Sequence, residues 1–390
     1  MKKYLIINPG SASRKYALYE GEKELAYMHI ESEEGGNEIS TVTAQGKKEK
    51  KNISAEDFDK SFEYTLNELI KAGLIASKED IAVCGIRVVA PGNFFLQDKI
   101  INSEYKKLLK KAFEKAPLHI APILEEIKKI RYAIGRIPLV GISDSAFHSS
   151  MMEKSKRYAI PSEDAEKFEI FRYGYHGISL RSIVSKMEKS GPIPENVIIC
   201  HIGGGVSVTA LKNGKSIDTT MGLTPLEGVV MATRVGDIDS GAVVYLSKVK
   251  KLKGKNLLQY LNKKCGLLGI SGKSDDVRDL IKAENEGDNL SKLALDMYAY
   301  KIQKYIGAYA VALGGLDTIV FSGTVGERSF LMRERICKGL GFLGVEINSI
   351  LNNTSDSIDV VLSSPESKVK VEVVKTDEMA QMAKDTAKFL

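Results

Sequence analysis

The 390-residue chain carries glycine-rich turns, isolated arginines and element-end carboxylates in positions suited to phosphate chemistry. In the run HIGGGVSV at 201–208, Gly203, Gly204 and Gly205 separate the apolar stretch Val197 to Cys200 from a second apolar stretch, Val206 to Leu211. A glycine turn between two strands leaves backbone N–H groups open to an anion, because no Cβ stands in the way. Asn213 and Gly214 then give a two-residue hairpin signal, which makes Lys215 to Thr220 a third strand. The same plan occurs at the N-terminus: Tyr4 to Ile7, the small polar turn NPGSAS at 8–13, Lys15 to Tyr19, a turn at 20–22, and Leu25 to Ile30. The repetition predicts a duplicated domain with a nucleotide held between the halves.

Arg87 lies in the buried-looking strand IAVCGIRVVAPG, where a solvated charge is out of place. Arg234 lies in TRVGDID at 233–239, a turn rich in glycine and acid. A planar guanidinium grips a carboxylate or phosphoryl group bidentately; for Arg234 the alternative is a structural pair with Asp237 or Asp239. Asp144 ends a predicted strand, where α/β sheets present ligand-binding residues, or else caps a following helix. Glu378 reads on its own as a first-turn carboxylate that favours the helix dipole.

Taken together, HIGGG at 201–205, DTTMG at 218–222, TPLEG at 224–228 and TRVGDID at 233–239 closely resemble the acetate kinase family. So do NPGSAS at 8–13, IRVV at 86–89, APLH at 116–119, DSAFH at 144–148, YGYHG at 173–177, GISG at 269–272, VGERS at 325–329 and TDE at 376–378. The motifs run in family order over essentially the whole chain. The resemblance implies an α/β fold of two duplicated actin/Hsp70/sugar-kinase-like (ribonuclease H-like) domains with an interdomain active-site cleft. The expected domains are 1–148, completed by the C-terminal helix 377–390, and 149–376, the nucleotide-binding one.

The activity implied is reversible, magnesium-dependent phosphoryl transfer from ATP to acetate, giving acetyl phosphate and ADP. A propionate or butyrate kinase, or a kinase using GTP or pyrophosphate, is the alternative, and an ATPase of the same fold comes after these. Asp144, His176 and Arg234 take catalytic positions, and Arg87, Val89, Leu118, Tyr175 and Pro225 take substrate positions. Nucleotide contacts fall on Lys15, His201, Ile202, Gly203, Gly204, Gly205, Asp276, Val277, Arg278, Thr324, Val325, Gly326, Glu327 and Arg328. Asn8 and Glu378 take the magnesium (or manganese) positions, and a hard cation suits their oxygens. His119 and His148 match supporting positions. Thr324 stands where the family has a glycine and Arg328 where it has an asparagine, so a crowded purine pocket is expected; Gly204 and Tyr175 also depart from the family's Asn and Phe. A homodimer is the implied assembly.

Composition agrees with an ordinary globular protein: 43% hydrophobic, 27% charged, formal net charge +6. The basic runs at 47–51 and 248–255 read as solvated faces and not as a nucleic-acid stripe. The four cysteines, Cys84, Cys200, Cys265 and Cys337, have no metal-ligand spacing. No signal peptide or membrane span is expected, so the expected location is cytoplasmic. A Rossmann dehydrogenase is excluded because the glycines open a strand and not a helix. A Walker A loop is excluded because Leu267 stands five residues before Gly272.

The supporting elements follow from periodicity. Ser54, with Asp57, predicts an N-cap for a helix with Phe58, Phe62, Leu66, Leu69 and Ile70 on one face, stopped by Gly73. Strands are expected at Ile81 to Val89, Pro138 to Ser143, Thr318 to Ser322, Ile358 to Leu362 and Val369 to Val374. Helices are expected at Tyr105 to Lys115, Ile123 to Ala133, about Leu293 to Leu313, Arg333 to Leu340, and from Asp377. The segment after the third strand reads as polar, and 323–328 reads as a turn.

Overall fold

The computed structural model describes residues 2–10, 13–33, 36–43, 46, 48–354 and 359–390. Met1, Ser11 and Ala12 of the first turn, Lys47, and Ile358 of an expected strand lie outside them. The chain forms two compact units, Met1–Ala146 with Asp377–Leu390, and Phe147–Thr376.

Among the described residues the first unit holds eight strands: β1 Lys3–Pro9, β2 Ser13–Glu20, β3 Lys23–Glu33, β4 Gly36–Thr43, β5 Lys48–Ile53, β6 Ile81–Val88, β7 Lys99–Ile100 and β8 Leu139–Ser143. Their order across the sheet is β5-β4-β3-β2-β1-β6-β8-β7. β1, β6 and β8 are parallel neighbours, and β1 to β5 make an antiparallel meander. The parallel centre is covered on both faces, which is why its sequences are nearly continuous apolar runs. Leu5, Ile6 and Ile7 of β1 and Ile86 of β6 are fully buried, each such side chain contributing roughly 1.5–3 kcal/mol relative to exposure. The C-terminal helix Glu378–Ala387 is capped by Asp377, whose carboxylate accepts from Ala380 N, and packs on β1, β6 and β8.

The second unit holds β9 Asn196–Ile202, β10 Val206–Lys212, β11 Lys215–Thr219, β12 Thr318–Ser322, β13 Val360–Val361 and β14 Lys370–Val373, in the order β11-β10-β9-β12-β14-β13. Here too a three-stranded antiparallel meander is followed by two parallel strands and a two-residue antiparallel edge strand. That is the pattern of β3-β2-β1-β6-β8-β7, so the duplication read from the two turns extends to the whole sheet. Asn213 and Gly214 have φ of 50° and 74°, the positive pair that a two-residue hairpin turn needs.

Four local expectations are corrected. The polar segment after β3 forms β4 and β5, whose described side chains are half-buried or exposed apart from Ile39 and so carry no apolar alternation. The helix begun by the Ser54–Asp57 capping box breaks at Lys60 into Ala55–Asp59 and Ser61–Lys71. At the break, Arg14 donates to the Phe58 carbonyl and, at 2.6 Å, to Ser61 Oγ, taking an acceptor that a continuous helix would use. The expected helix at Ile123 starts at Pro117 and runs to Ile134, tolerating Pro122 inside it. Residues 323–328 are helical, because the Glu327 carboxylate accepts from Gly323 N at 3.0 Å and secures the first turn.

Candidate functional site

In the first unit, β6, β8 and the start of the C-terminal helix bring together three residues far apart in sequence. Arg87 donates from Nη2 to Asp144 Oδ2 and from Nη1 to Glu378 Oε2, both at 3.1 Å. Asp144 is 1% exposed, and the Arg87 and Glu378 side chains are under one-fifth exposed. Burial alone would pull the Arg87 guanidinium down; Asp144 and then Glu378 outweigh it and hold it above its ordinary value. A guanidinium has five N–H donors. Two are used here, and Nε–H is buried with no acceptor among the described residues. Asp144 therefore serves as a partner of Arg87.

Asn8 and Lys15 face each other across the β1–β2 turn. Val89 packs half-buried on the core of the first unit, and Leu118 is half-buried in the first turn of its helix.

In the second unit, His176 adopts a left-handed backbone, φ 61°, ahead of the helix Gly177–Ser190. This uncommon conformation for a residue with a side chain presents its ring to the glycine turn. Its Nδ1 shares a hydrogen bond with Ser207 Oγ at 3.0 Å, while His201 Nδ1 shares one with Ser179 Oγ at 2.8 Å. The two rings lie 4.2 Å apart. Gly205 is where the turn needs glycine: a Cβ there would sit 3.2 Å from both Arg234 Nη1 and His176 Nε2. At Gly204 a Cβ would meet nothing within 4 Å. Arg234 Nη1 also donates to the Pro225 carbonyl at 3.2 Å. Of the acids considered as its partners, Asp237 accepts from Gly228 N and Tyr305, and Asp239 caps Ala242 N.

The segment bearing Pro225 and Arg234 is clamped by residues that spacing alone does not reveal. Arg172 donates to the Thr219 and Thr220 carbonyls and to Glu227. Tyr158 donates to Glu227 and accepts from Leu223 N. Burial opposes the charge of Arg172, and Glu227 more than restores it. Tyr175, 1% exposed, donates its hydroxyl to the Leu223 carbonyl at 2.6 Å, so that group is already engaged. His148 is fully buried, with one ring nitrogen on Ser216 and the other on the Tyr175 carbonyl, a supporting position.

A cavity of about 620 Å³ opens beside the glycine turn, within the range of small-molecule sites. Gly203, Gly204 and Ala232 line one end. Asp276, Val277 and Arg278 stand on one wall, and Thr324, Val325 and Arg328 on another. Leu267, Asp275, Ile281, Ser329, Phe330 and Leu331 complete the lining. Residue spacing carries no signal for these, because the apolar ones among them share the pattern of ordinary core positions. Ile202 and Gly326 are buried and Glu327 is turned inward, its carboxylate accepting from Gly323 N and Thr376 N, so they support the wall and do not line it. Lys15 belongs to the first unit. Among the described residues no three His, Cys, Asp or Glu gather as a metal cluster, and no helix is long and apolar enough to cross a membrane.

The repeated sheet, with a glycine turn between the first two strands of the second unit, is the architecture of the actin/Hsp70/sugar-kinase class of phosphotransferases. Residues 3–384 match the model of the acetokinase family, and the chain belongs to that family, whose acceptor is a carboxyl group. It is 40% identical to an acetate kinase of Bacteroides thetaiotaomicron, over all of this chain and 99% of that one. It is 37% identical to the acetate kinase of Bacillus subtilis, over the full length of both. The crystal structure of Porphyromonas gingivalis acetate kinase superposes with a TM-score of 0.87 at 36% identity, over 100% of this chain and 99% of that one. A propionate kinase structure from Francisella tularensis superposes with a TM-score of 0.90 at 31% identity, over the full length of both.

Proposed function

We propose that the chain is an acetate kinase, catalysing reversible transfer of the γ-phosphoryl group of ATP to acetate. An acetate oxygen forms the new bond to phosphorus as the bond to the β-phosphate oxygen breaks, giving acetyl phosphate and ADP. Acetate is already a carboxylate near neutral pH, so no strong base is called for. The observation that carries this is the Arg87 guanidinium, anchored by Asp144 and Glu378 with Nε–H buried and unused. It is fixed in orientation yet has donors left for an incoming carboxylate.

Asp144 positions Arg87. Arg234 and His176, both against Gly205, donate to the charge that spreads over the phosphoryl oxygens. The glycine turn and the adjoining cavity take the nucleotide. Asn8 and Glu378 would supply hard oxygens of the kind that suit Mg²⁺. When bound, the ion would neutralise charge on the β- and γ-phosphates.

Cytoplasmic residence and a homodimer belong to the same proposal. Four isolated thiols, three of them buried, suit a reducing compartment. The helix Ser240–Val249 buries none of its residues and exposes Val244, Tyr245 and Val249, an apolar face suited to a second copy; sedimentation of the full chain would test it. Propionate is a second acceptor to compare, favoured by the likeness to the Francisella enzyme. Trapping acyl phosphate as hydroxamate, with acetate, propionate and butyrate against ATP, GTP and pyrophosphate, tests the proposal. Folded protein that yields no hydroxamate with any pair would overturn it.

A further inference from the structure

The cavity has a direction. A Cβ built on Gly203 would lie 3.9 Å from Thr324 N, so the helix Gly323–Arg328 starts against the phosphate turn. At about 1.5 Å of rise per residue, Arg328 is rooted roughly 6 Å further along than Thr324. It lines the same cavity as the apolar residues Phe330, Leu331 and Ile281, which suit a base. The root is rigid. Buried Arg333 donates to the Gly326 and Glu327 carbonyls at 3.0 and 2.8 Å, and the Glu327 carboxylate secures Gly323 N. The Arg328 guanidinium itself makes no hydrogen bond or ion pair to a described residue. Arg278 across the cavity is, in contrast, bound to Asp276 through both Nε and Nη2.

We propose that Arg328 reads the base and that the pocket favours 6-oxopurine nucleotides, those of guanine and hypoxanthine, over adenine nucleotides. The proposal rests on the nucleotide reading of this cavity. A guanidinium offers only donors. Guanine and hypoxanthine present two adjacent acceptors, O6 and N7, which the guanidinium fork meets at once. Adenine presents N7 beside an amino donor, which opposes it. A bidentate pair of this kind discriminates by roughly tenfold or more.

The test is steady-state transfer to acetate with magnesium and ATP, GTP, ITP or inorganic pyrophosphate, for the wild type, Arg328→Asn and Arg328→Lys. Wild type is expected to use GTP and ITP at least as efficiently as ATP. Arg328→Asn should lower the GTP/ATP and ITP/ATP ratios of kcat/KM by about tenfold, chiefly through KM. Arg328→Lys should restore only part, since an ammonium cannot form the fork. An unchanged ratio in Arg328→Asn overturns the proposal. So does an equal loss with all donors including pyrophosphate, which would put the guanidinium on phosphate. Failure of the underlying nucleotide reading looks different: no nucleoside triphosphate would support transfer at all.

Discussion

His176 and His201 stack with ring centroids 4.2 Å apart and planes tilted by 36°, and each is held from behind by a different serine. Ser207 and Ser179 are both fully buried, so each fixes its imidazole without competition from water. The two histidines can therefore be disturbed one at a time.

Ser207→Ala frees His176, and kcat should fall about fivefold, the worth of one hydrogen bond of about 1 kcal/mol. The nucleotide KM should change little. Ser179→Ala frees His201 and should show the reverse, a raised nucleotide KM with kcat largely kept. Steady-state kinetics of both variants check this; the opposite assignment of effects would exchange the roles of the two histidines.

The glycine turn makes a sharper contrast. Gly205→Ala must displace the Arg234 and His176 nitrogens that lie 3.2 Å from its new carbon, whereas Gly204→Ala projects into open space. Gly205→Ala should lose roughly tenfold or more in kcat, since donors displaced from developing charge lose most of their effect. Gly204→Ala should keep kcat and alter mainly the nucleotide KM. Equal kcat in the two variants would show that Gly205 is not beside the reacting group.

Removing either arginine should be severe. Arg87→Ala and Arg234→Ala should each cost two or more orders of magnitude in turnover, about 2.7 kcal/mol or more. Arg87→Ala should also raise the acetate KM, and it leaves buried Asp144 without its cation, so Arg87→Lys accompanies it to hold the fold. Near-normal kinetics in a folded variant would make that arginine structural.

Glu126 gives a pH dependence of stability. It is 2% exposed and accepts from the Tyr16 hydroxyl at 2.8 Å; burial, against the pull of Tyr16 and Arg14, raises its carboxyl above the usual 4.5. The folded state thus holds this proton more tightly than the unfolded state. Its contribution is fully present below about pH 4.5 and is lost as pH rises through the folded value. Glu126→Gln keeps an acceptor for Tyr16 and removes the titration. The difference in melting temperature, variant minus wild type, should therefore grow from pH 4.5 upward. A difference that is flat with pH would contradict the assignment.

Much of the fold is legible in local pattern. Buried strands such as Thr318–Ser322 appear as apolar runs, and the two turns betray the duplication because each separates such runs. β4 and β5 escape because Ile39 is their one fully buried apolar side chain. The break at Lys60 escapes because its cause, Arg14, lies 44 residues from Phe58. At the site, residue types are legible and partners are not. Arg87 is conspicuous in an apolar strand, but Asp144 and Glu378 stand 57 and 291 residues away, and only sheet order and the packing of the C-terminal helix bring them to it. Glu327 has the character of a ligand contact, yet the backbone N–H groups it accepts from lie inside the wall.

The most direct measurement is phosphorus NMR of the full-length protein with ATP, magnesium and acetate carrying ¹⁸O in its carboxyl group. Direct transfer predicts acetyl phosphate whose phosphorus is bonded to an ¹⁸O from acetate, formed together with ADP. Conversion of ATP to ADP and inorganic phosphate with no acetyl phosphate, or acetyl phosphate lacking the label at phosphorus, would contradict the account.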